Sequence, residues 1–276
     1  MIKDQCPVIV GVLFALFTAS SALAEKRLRV FDTHVHYSQD AWASFSPKAV
    51  IKLLDQAGVS RALVSSTPDD GTLMLYQEDA KRIVPILRPY RSPADMGDWF
   101  RRAEVLTYVE ERLKRNIYRG IGEFHLMDVR HAQTAQIVRL VQEAVKRGLV
   151  LHVHSDAEPI RALYAINPEV KILWAHAGMS APPAVISNLL DRYPKLWTEV
   201  SLRANDIAPN GRLATAWQEL FLRHPERFMI GTDTWATWRW PDYVELIQEH
   251  RAWLGQLPKE VAEKIAYRNA TRLFNP

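Results

Sequence analysis

The chain has 276 residues and a formal net charge of +4 at pH 7, from 35 basic and 31 acidic side chains. These charges are scattered rather than gathered in a run that could follow a phosphate backbone, so the sequence predicts no nucleic-acid partner. The single cysteine, Cys6, excludes an internal disulfide and a site built from several thiolates. Because Cys6 also lies in the leader predicted below, any metal of the mature chain would be held by nitrogen and oxygen ligands.

Residues 1–24 have the pattern of an export signal. Lys3 precedes an apolar run from Val8 to Phe17, and Ala22-Leu23-Ala24 has the small-residue spacing of a cleavage site. We therefore predict a signal peptide over 1–24 and a periplasmic or secreted protein, with an uncleaved anchor as the alternative. No later segment has the roughly 18 uninterrupted apolar residues of a membrane helix, so the mature chain is predicted to have no membrane span.

The remaining residues, 25–276, alternate between short runs rich in Val, Ile and Leu and longer amphipathic stretches. Predicted strands cover 29–33, 61–65, 83–87, 120–124, 150–154, 172–175, 196–200 and 228–232, and predicted helices cover 47–57, 99–115, 132–147, 182–192, 213–222, 241–251 and 258–274. This pattern predicts one α/β domain, a single (β/α)8 TIM barrel of about 250 residues. The alternative, an open doubly wound sheet, favours a Gly-rich loop after the first strand, where His34-Val35-His36 stands instead.

Metal-competent side chains follow the predicted strands at their carboxyl ends, the face on which barrel enzymes build their sites. His34 and His36 are two residues apart and therefore point the same way from the first strand. Glu123 ends the run Gly120-Ile121-Gly122 on the fourth strand, which suits a ligand or a bridging group. A carboxylate paired with a nearby arginine is the alternative for Glu123.

Three further residues occupy the same kind of position: His154 after the fifth strand, His176 after the sixth and Asp233 after the last. A buried neutral histidine is the alternative for His176, and a helix cap is the alternative for Asp233. His152 lies one layer deeper than His154 and is expected to be a hydrogen-bonded interior histidine. His125 lies beyond the fourth strand and is expected in a loop.

Together, these motifs resemble the amidohydrolase superfamily, specifically its amidohydrolase-related branch. The motifs are Asp32-Thr33-His34-Val35-His36, Gly120-Ile121-Gly122-Glu123, His154, Trp174-Ala175-His176-Ala177-Gly178 and Gly231-Thr232-Asp233. The resemblance implies that His34 and His36 bind a divalent metal with Asp233, that His154 is a further ligand, and that His176 binds metal or activates water. In two-metal members, a carboxylated lysine or a glutamate on the fourth strand bridges the ions, so Glu123 permits one or two ions. Zinc is the default metal for such ligands.

The expected chemistry is hydrolysis of an ester, lactone or amide of a small-molecule substrate by a metal-activated water. Asp233 would move the water proton to the leaving group, and His176 would orient the water or stabilise the oxyanion. Arg88 and Arg203 could bind a substrate carboxylate, with a structural role as the alternative for both. The loop aromatics Trp42, Tyr90, Trp235, Trp238 and Trp240 predict a mouth that accepts an apolar or ring-bearing ligand.

Three other functions compete with hydrolysis. The same branch includes aminocarboxymuconate semialdehyde decarboxylase, so a metal-dependent carbon–carbon lyase is the first alternative. The second is a non-catalytic exported metal-binding barrel, whose signature would be a missing ligand, and none is missing here. The third is a metal-dependent deoxyribonuclease, which a basic stripe with interleaved aromatics would favour. The sequence contains no such stripe.

Overall fold

The computed structural model describes residues 27–274, so the predicted leader over 1–24 lies outside the described residues. Every predicted strand overlaps an observed one. The strands are β1 Val30–Val35, β2 Val59–Val64, β3 Ile83–Pro85, β4 Gly120–His125, β5 Val150–His154, β6 Lys171–Trp174, β7 Leu196–Glu199 and β8 Phe228–Met229. All neighbouring pairs are parallel, in the orders β1-β2-β3 and β4 to β8.

Backbone hydrogen bonds join these two groups of strands at both edges. Beyond β3, Leu87 N donates to Gly120 O at 3.0 Å, and Gly122 N donates to Leu87 O at 2.8 Å. Beyond β8, Ile230 O accepts from Thr33 N at 3.0 Å. The eight strands therefore form a ring, and the predicted α/β barrel fold is confirmed.

Helices cover the outside of the ring. They are α1 Pro47–Ala57, α2 Asp70–Glu78, α3 Ala103–Leu113, α4 Ala135–Arg147, α5 Ala157–Ile166, α6 Pro183–Arg192, α7 Ala204–Ile207, α8 Thr215–Arg223, α9 Tyr243–Leu254, α10 Lys259–Glu263 and α11 Asn269–Phe274. Local chemistry sets the ends of α1: Ser46 caps its first turn, and Gly58 ends it in the left-handed conformation, with φ of 65°. Within 27–274, no helix is both long and apolar enough to cross a membrane.

The helix prediction was wrong at several places. It omitted α2, where Pro68-Asp69-Asp70-Gly71 is typical of a turn but burial of Leu75 stabilises a helix. It also omitted α5, whose Ile160 and Leu163 are fully buried. The predicted helix 99–115 begins only at Ala103, because Arg102 is extended and interrupts it.

The barrel interior is apolar away from the carboxyl ends of the strands. Phe31, Leu173 and Met229 belong to a separate buried cluster that packs against Phe274 of α11. Phe31 and Phe274 have ring centroids 6.2 Å apart. This part of the interior is therefore filled by apolar side chains, and the buried polar side chains of the site lie at the carboxyl ends of the strands.

Candidate metal centre

The six predicted ligands meet at the carboxyl ends of the strands. On one side, His34 and His36 place their Nε2 atoms 3.0 Å apart, and Asp233 Oδ1 lies 3.4 Å from each. On the other side, His176 Nε2 lies 3.2 Å from His154 Nδ1. All of these side chains are buried except that of His154, which is partly exposed.

Glu123 lies between the two sides. Its Oε2 is 3.2 Å from His36 Nε2 and 3.5 Å from His34 Nε2. Its Oε1 is 2.9 Å from His154 Nδ1 and 3.5 Å from His176 Nε2. One carboxylate therefore faces two sets of ligand atoms, one with each oxygen, which is the arrangement that a group bridging two ions needs.

The hydrogen bonds of His34 and His36 show that this centre suits a cation. His36 Nδ1 donates to the carbonyl oxygen of Ser65 at 2.6 Å, and His34 Nδ1 donates to Glu199 Oε1 at 3.0 Å. When both rings are neutral, their Nε2 atoms therefore present lone pairs to each other, and within 27–274 Asp233 Oδ1 beside them is buried without a hydrogen-bond partner. Such a group of acceptors, with no donor between them, fits a divalent metal.

His176 is held in the same way by the turn after β6. Its Nδ1 donates to Ser201 Oγ at 2.8 Å, so its Nε2 also faces the centre. Its backbone is left-handed, with φ of 55°, and so is that of Asp233, with φ of 51°. Left-handed backbone is costly for residues other than glycine and clusters at functional sites. Both residues are therefore held in place by the surrounding structure.

The buried carboxylates create a strong demand for positive charge. Burial opposes a charge on His34, yet Asp233, Glu123 and Glu199 together raise its pKa well above the usual value. Burial also opposes a charge on Glu123, but His34 and hydrogen bonds from His154 hold its pKa well below the usual value. The centre therefore stabilises cations, whether a proton or a metal supplies the charge.

Glu199 is a functional residue that the sequence prediction missed. It is fully buried at the end of β7 and accepts from His34 Nδ1 at 3.0 Å. It also accepts from the backbone N of His176 and of Ser201, both at 2.7 Å. Its position at a strand's carboxyl end was the available signal, because the other ligands were found by that same rule.

Two other histidines lie close to the centre. His152 is buried as expected, but neither ring nitrogen has a hydrogen-bond partner within 27–274, and burial lowers its pKa to about 4. His125 lies at the end of β4 rather than in a loop. Tyr90 OH accepts from the backbone N of His125 at 2.8 Å and therefore donates to its Nδ1 at 3.1 Å. That bond leaves the ring proton of neutral His125 on Nε2.

The two predicted substrate-binding arginines are engaged with the protein itself. Arg88 donates to Glu123 Oε2 and to its carbonyl oxygen, both at 3.1 Å. Arg203 donates to the carbonyl oxygens of His176 and Ala177 at 3.2 and 3.3 Å. Their contacts fit a positioning role, and binding of a substrate carboxylate stays a prediction for both.

Comparison with known proteins gives one family. A family model described as Amidohydrolase matches residues 31–275, nearly the whole described chain. No curated protein matches the sequence significantly. The family match covers every residue of the centre described above.

Solved structures share the fold at low sequence identity. An amidohydrolase from Burkholderia multivorans, solved with bound zinc, has a TM-score of 0.61 at 15% identity, covering 89% of this chain and 98% of that one. A probable 2-pyrone-4,6-dicarboxylic acid hydrolase from Acinetobacter baumannii with citric acid bound has a TM-score of 0.63 at 16% identity, covering 90% of this chain and 99% of that one. 2,6-Dihydroxybenzoate decarboxylase, complexed with 2,6-dihydroxybenzoate, has a TM-score of 0.58 at 11% identity, covering 90% of this chain and 99% of that one.

Proposed function

Because the chain belongs to the amidohydrolase family, we propose that it is a metal-dependent hydrolase acting on an ester, lactone or amide of a small molecule. One observation carries the proposal: the Nε2 atoms of His34 and His36 converge beside Asp233 Oδ1, which has no hydrogen-bond partner among the described residues. Acceptors arranged in this way, without a donor, are expected to hold a cation that activates water.

The residues divide into two ligand sets. His34, His36 and Asp233 form one set, and His154 and His176 form the other, with Glu123 shared. Bound there, one or two divalent cations would polarise a carbonyl oxygen and lower the pKa of a water. We propose zinc, since nitrogen and oxygen ligands without sulfur suit it and a similar barrel binds it.

The chain's own residues would move the proton. We propose that the Asp233 carboxylate accepts a proton from the attacking water and passes it to the leaving group, and that His176 orients the water. Arg239 supports Asp233 from behind: its Nε donates to the carbonyl oxygen of Asp233 at 2.6 Å, and its Nη2 donates to that of Thr232 at 2.9 Å. These bonds keep the left-handed backbone of Asp233 fixed, so that its carboxylate stays directed at the centre.

Decarboxylation is the second candidate function, because the structure is also similar to 2,6-dihydroxybenzoate decarboxylase. The two reactions differ in their products. Release of carbon dioxide without net addition of water would assign the site to carbon–carbon cleavage. Glu123 favours hydrolysis, because a carboxylate between two ligand sets supports the two-metal form.

The test is metal content by elemental analysis of the purified mature protein, followed by hydrolysis of 1-naphthyl acetate. We expect one or two equivalents of a divalent metal, loss of metal and of hydrolysis in His34→Ala, and loss of hydrolysis in Asp233→Asn. His131→Ala, which changes a histidine away from the centre, is the matched control and should keep both. Absence of bound metal, with no binding when zinc is added, would contradict the proposal.

We also propose that the protein is exported, on the basis of the leader pattern in 1–24. Mass spectrometry of the periplasmic and medium fractions of a bacterial host should find a chain that begins at Glu25. A chain that keeps Met1 and stays in the cytoplasmic fraction would contradict export.

A further inference from the structure

Exposed apolar side chains are concentrated around the centre. Among the described residues, every exposed large apolar side chain except Leu222 lies on a segment that leaves the carboxyl end of a strand. Leu222 lies near the end of α8, which leads to the amino end of β8. A soluble protein can carry single exposed apolar residues anywhere, so their collection at one face needs an explanation.

Four of these residues lie on adjacent loops and form what we call the apolar rim: Met179 after β6, Leu202 after β7, and Trp235 and Trp238 after β8. Because β6, β7 and β8 are neighbours in the sheet, their loops lie side by side. The two indole rings meet edge to face, with centroids 5.8 Å apart, and are 53% and 61% exposed. The rim therefore presents aromatic and aliphatic surface beside Asp233.

The backbone holds part of the rim in a costly conformation. Met179 has φ of 52° and Leu202 has φ of 62°, in the left-handed region that side chains other than glycine rarely adopt. This backbone conformation is unfavourable for a residue with a side chain, and exposure of that apolar side chain to water is also unfavourable. Stability alone therefore does not explain these two residues.

The loops that carry the rim are also braced against each other. Arg203, next to Leu202, donates from Nη1 to the carbonyl oxygen of His176 at 3.2 Å and from Nη2 to that of Ala181 at 3.1 Å. Its guanidinium lies 4.9 Å from the ring centroid of Trp217. The bracing fixes Leu202 relative to the loop that carries Met179, so this side of the rim is formed before a ligand arrives.

We propose that the apolar rim binds an apolar, ring-bearing body of the substrate while the substrate's polar group reaches His176 and Asp233. The inference rests on the proposed function, because the polar group is taken to be the ester, lactone or amide that is hydrolysed. A flat ring can pack against the exposed indoles and cover Leu202. Because the rim combines indoles with the aliphatic side chains of Met179 and Leu202, an aromatic acyl or aryl compound is the substrate class.

The test uses two carboxylates that share a head group and differ in the body, 1-naphthoate and acetate, titrated calorimetrically into the metal-loaded protein. We expect naphthoate to bind at least about tenfold more tightly than acetate. Leu202→Ser and Trp238→Ser should each reduce naphthoate affinity about fivefold and leave acetate binding unchanged. Leu222→Ser removes a leucine of similar exposure, 46% against 44%, at the opposite face and should change neither.

Several outcomes would overturn the rim proposal: equal affinity for the two carboxylates, an equal loss in Leu222→Ser, or a rim buried in a dimer that naphthoate does not dissociate in sedimentation. Hydrolysis of 1-naphthyl acetate and of methyl acetate, measured in parallel, separates this proposal from the function. If the protein hydrolyses the esters but binds naphthoate no more tightly than acetate, the result contradicts the rim proposal alone. Rim-dependent naphthoate binding without hydrolysis of any ester contradicts the hydrolase alone.

Discussion

The ring nitrogens of His34 and His36 have two different tasks. In each residue, Nε2 faces the centre while Nδ1 is fixed by the protein, through Glu199 in one case and the carbonyl oxygen of Ser65 in the other. A donor on Nδ1 settles the tautomer and the ring orientation, which makes Nε2 available as a ligand. The residues behind the ligands therefore decide whether the ligands can act together.

Glu199→Gln tests this role. A glutamine has one acceptor oxygen where the carboxylate has two, so His34 Nδ1 and the backbone N groups of His176 and Ser201 cannot all keep their partners. We expect metal affinity to fall about 10- to 100-fold, measured by competition with a chelating dye. The control is Glu249→Gln on an exposed part of α9, which should leave affinity unchanged. Equal affinities in both variants would contradict a positioning role.

At the scale of elements, the turn after β6 shows how a strand end is shaped for the site. Trp174 is fully buried, and its Nε1 donates to the carbonyl oxygen of Ser155 at 2.7 Å, so the indole has a fixed position. The turn then passes so close to this ring that a Cβ on Gly178 would lie 2.1 Å from Trp174 Cζ2. Gly178 thus lets the chain bring His176 to the centre.

Gly178→Ala and Gly148→Ala form a matched pair. Both glycines are left-handed, with φ of 72° and 68°, but no atom of the rest of the described chain lies within 4 Å of a Cβ at Gly148. We expect the Gly148 variant to lose about 1 kcal/mol of unfolding free energy, from the backbone alone. The Gly178 variant should lose about 2 kcal/mol more, because the indole must move. Urea unfolding measures both, and equal losses would show that the indole moves freely.

At the scale of the whole molecule, buried polar groups connect the two sets of strands. Asp69, between β2 and α2, is fully buried and accepts from Tyr118 OH at 2.5 Å, just before β4. Arg112 of α3 reaches the same oxygen at 3.4 Å, while Asp69 Oδ1 has no hydrogen-bond partner in the described part of the chain. Burial raises the pKa of Asp69 from 3.8 to about 6, although Tyr118 and Arg112 oppose the rise.

This raised pKa predicts a defined pH dependence. The unfolded chain releases the Asp69 proton near its ordinary pKa of 3.8 and the folded chain only near 6, so the contribution to stability is full below about pH 4 and decreases as the pH rises through 6. The unfolding free energy of the wild type, relative to that of Asp69→Asn, should therefore fall by roughly 2 to 3 kcal/mol between about pH 4 and pH 7. Urea unfolding at both pH values measures it. Exposed Asp242→Asn should show no such change, and a pH-independent difference for Asp69→Asn would contradict the raised pKa.

The sequence by itself determined the architecture and the composition of the centre. Buried parallel strands give continuous apolar runs, and the period-two geometry of β1 puts His34 and His36 on one face, so both could be read without coordinates. The rule that barrel sites lie at the carboxyl ends of strands then brought Glu123, His154 and Asp233 into the same set. These features depend on short-range periodicity, which a single chain displays directly.

Tertiary structure decided what depends on distant partners. Glu199 ends a predicted strand, but only its contact with His34, 165 positions away in the chain, shows what its carboxylate does. The hydrogen bond from Arg203 to the loop after β6 likewise depends on tertiary structure, and substrate binding by Arg203 stays a prediction. Tyr90 and Trp240 proved to be buried, whereas Trp235 and Trp238 are exposed at the mouth. Burial and hydrogen-bond partners are set by contacts between elements, and local sequence carries no record of which elements meet.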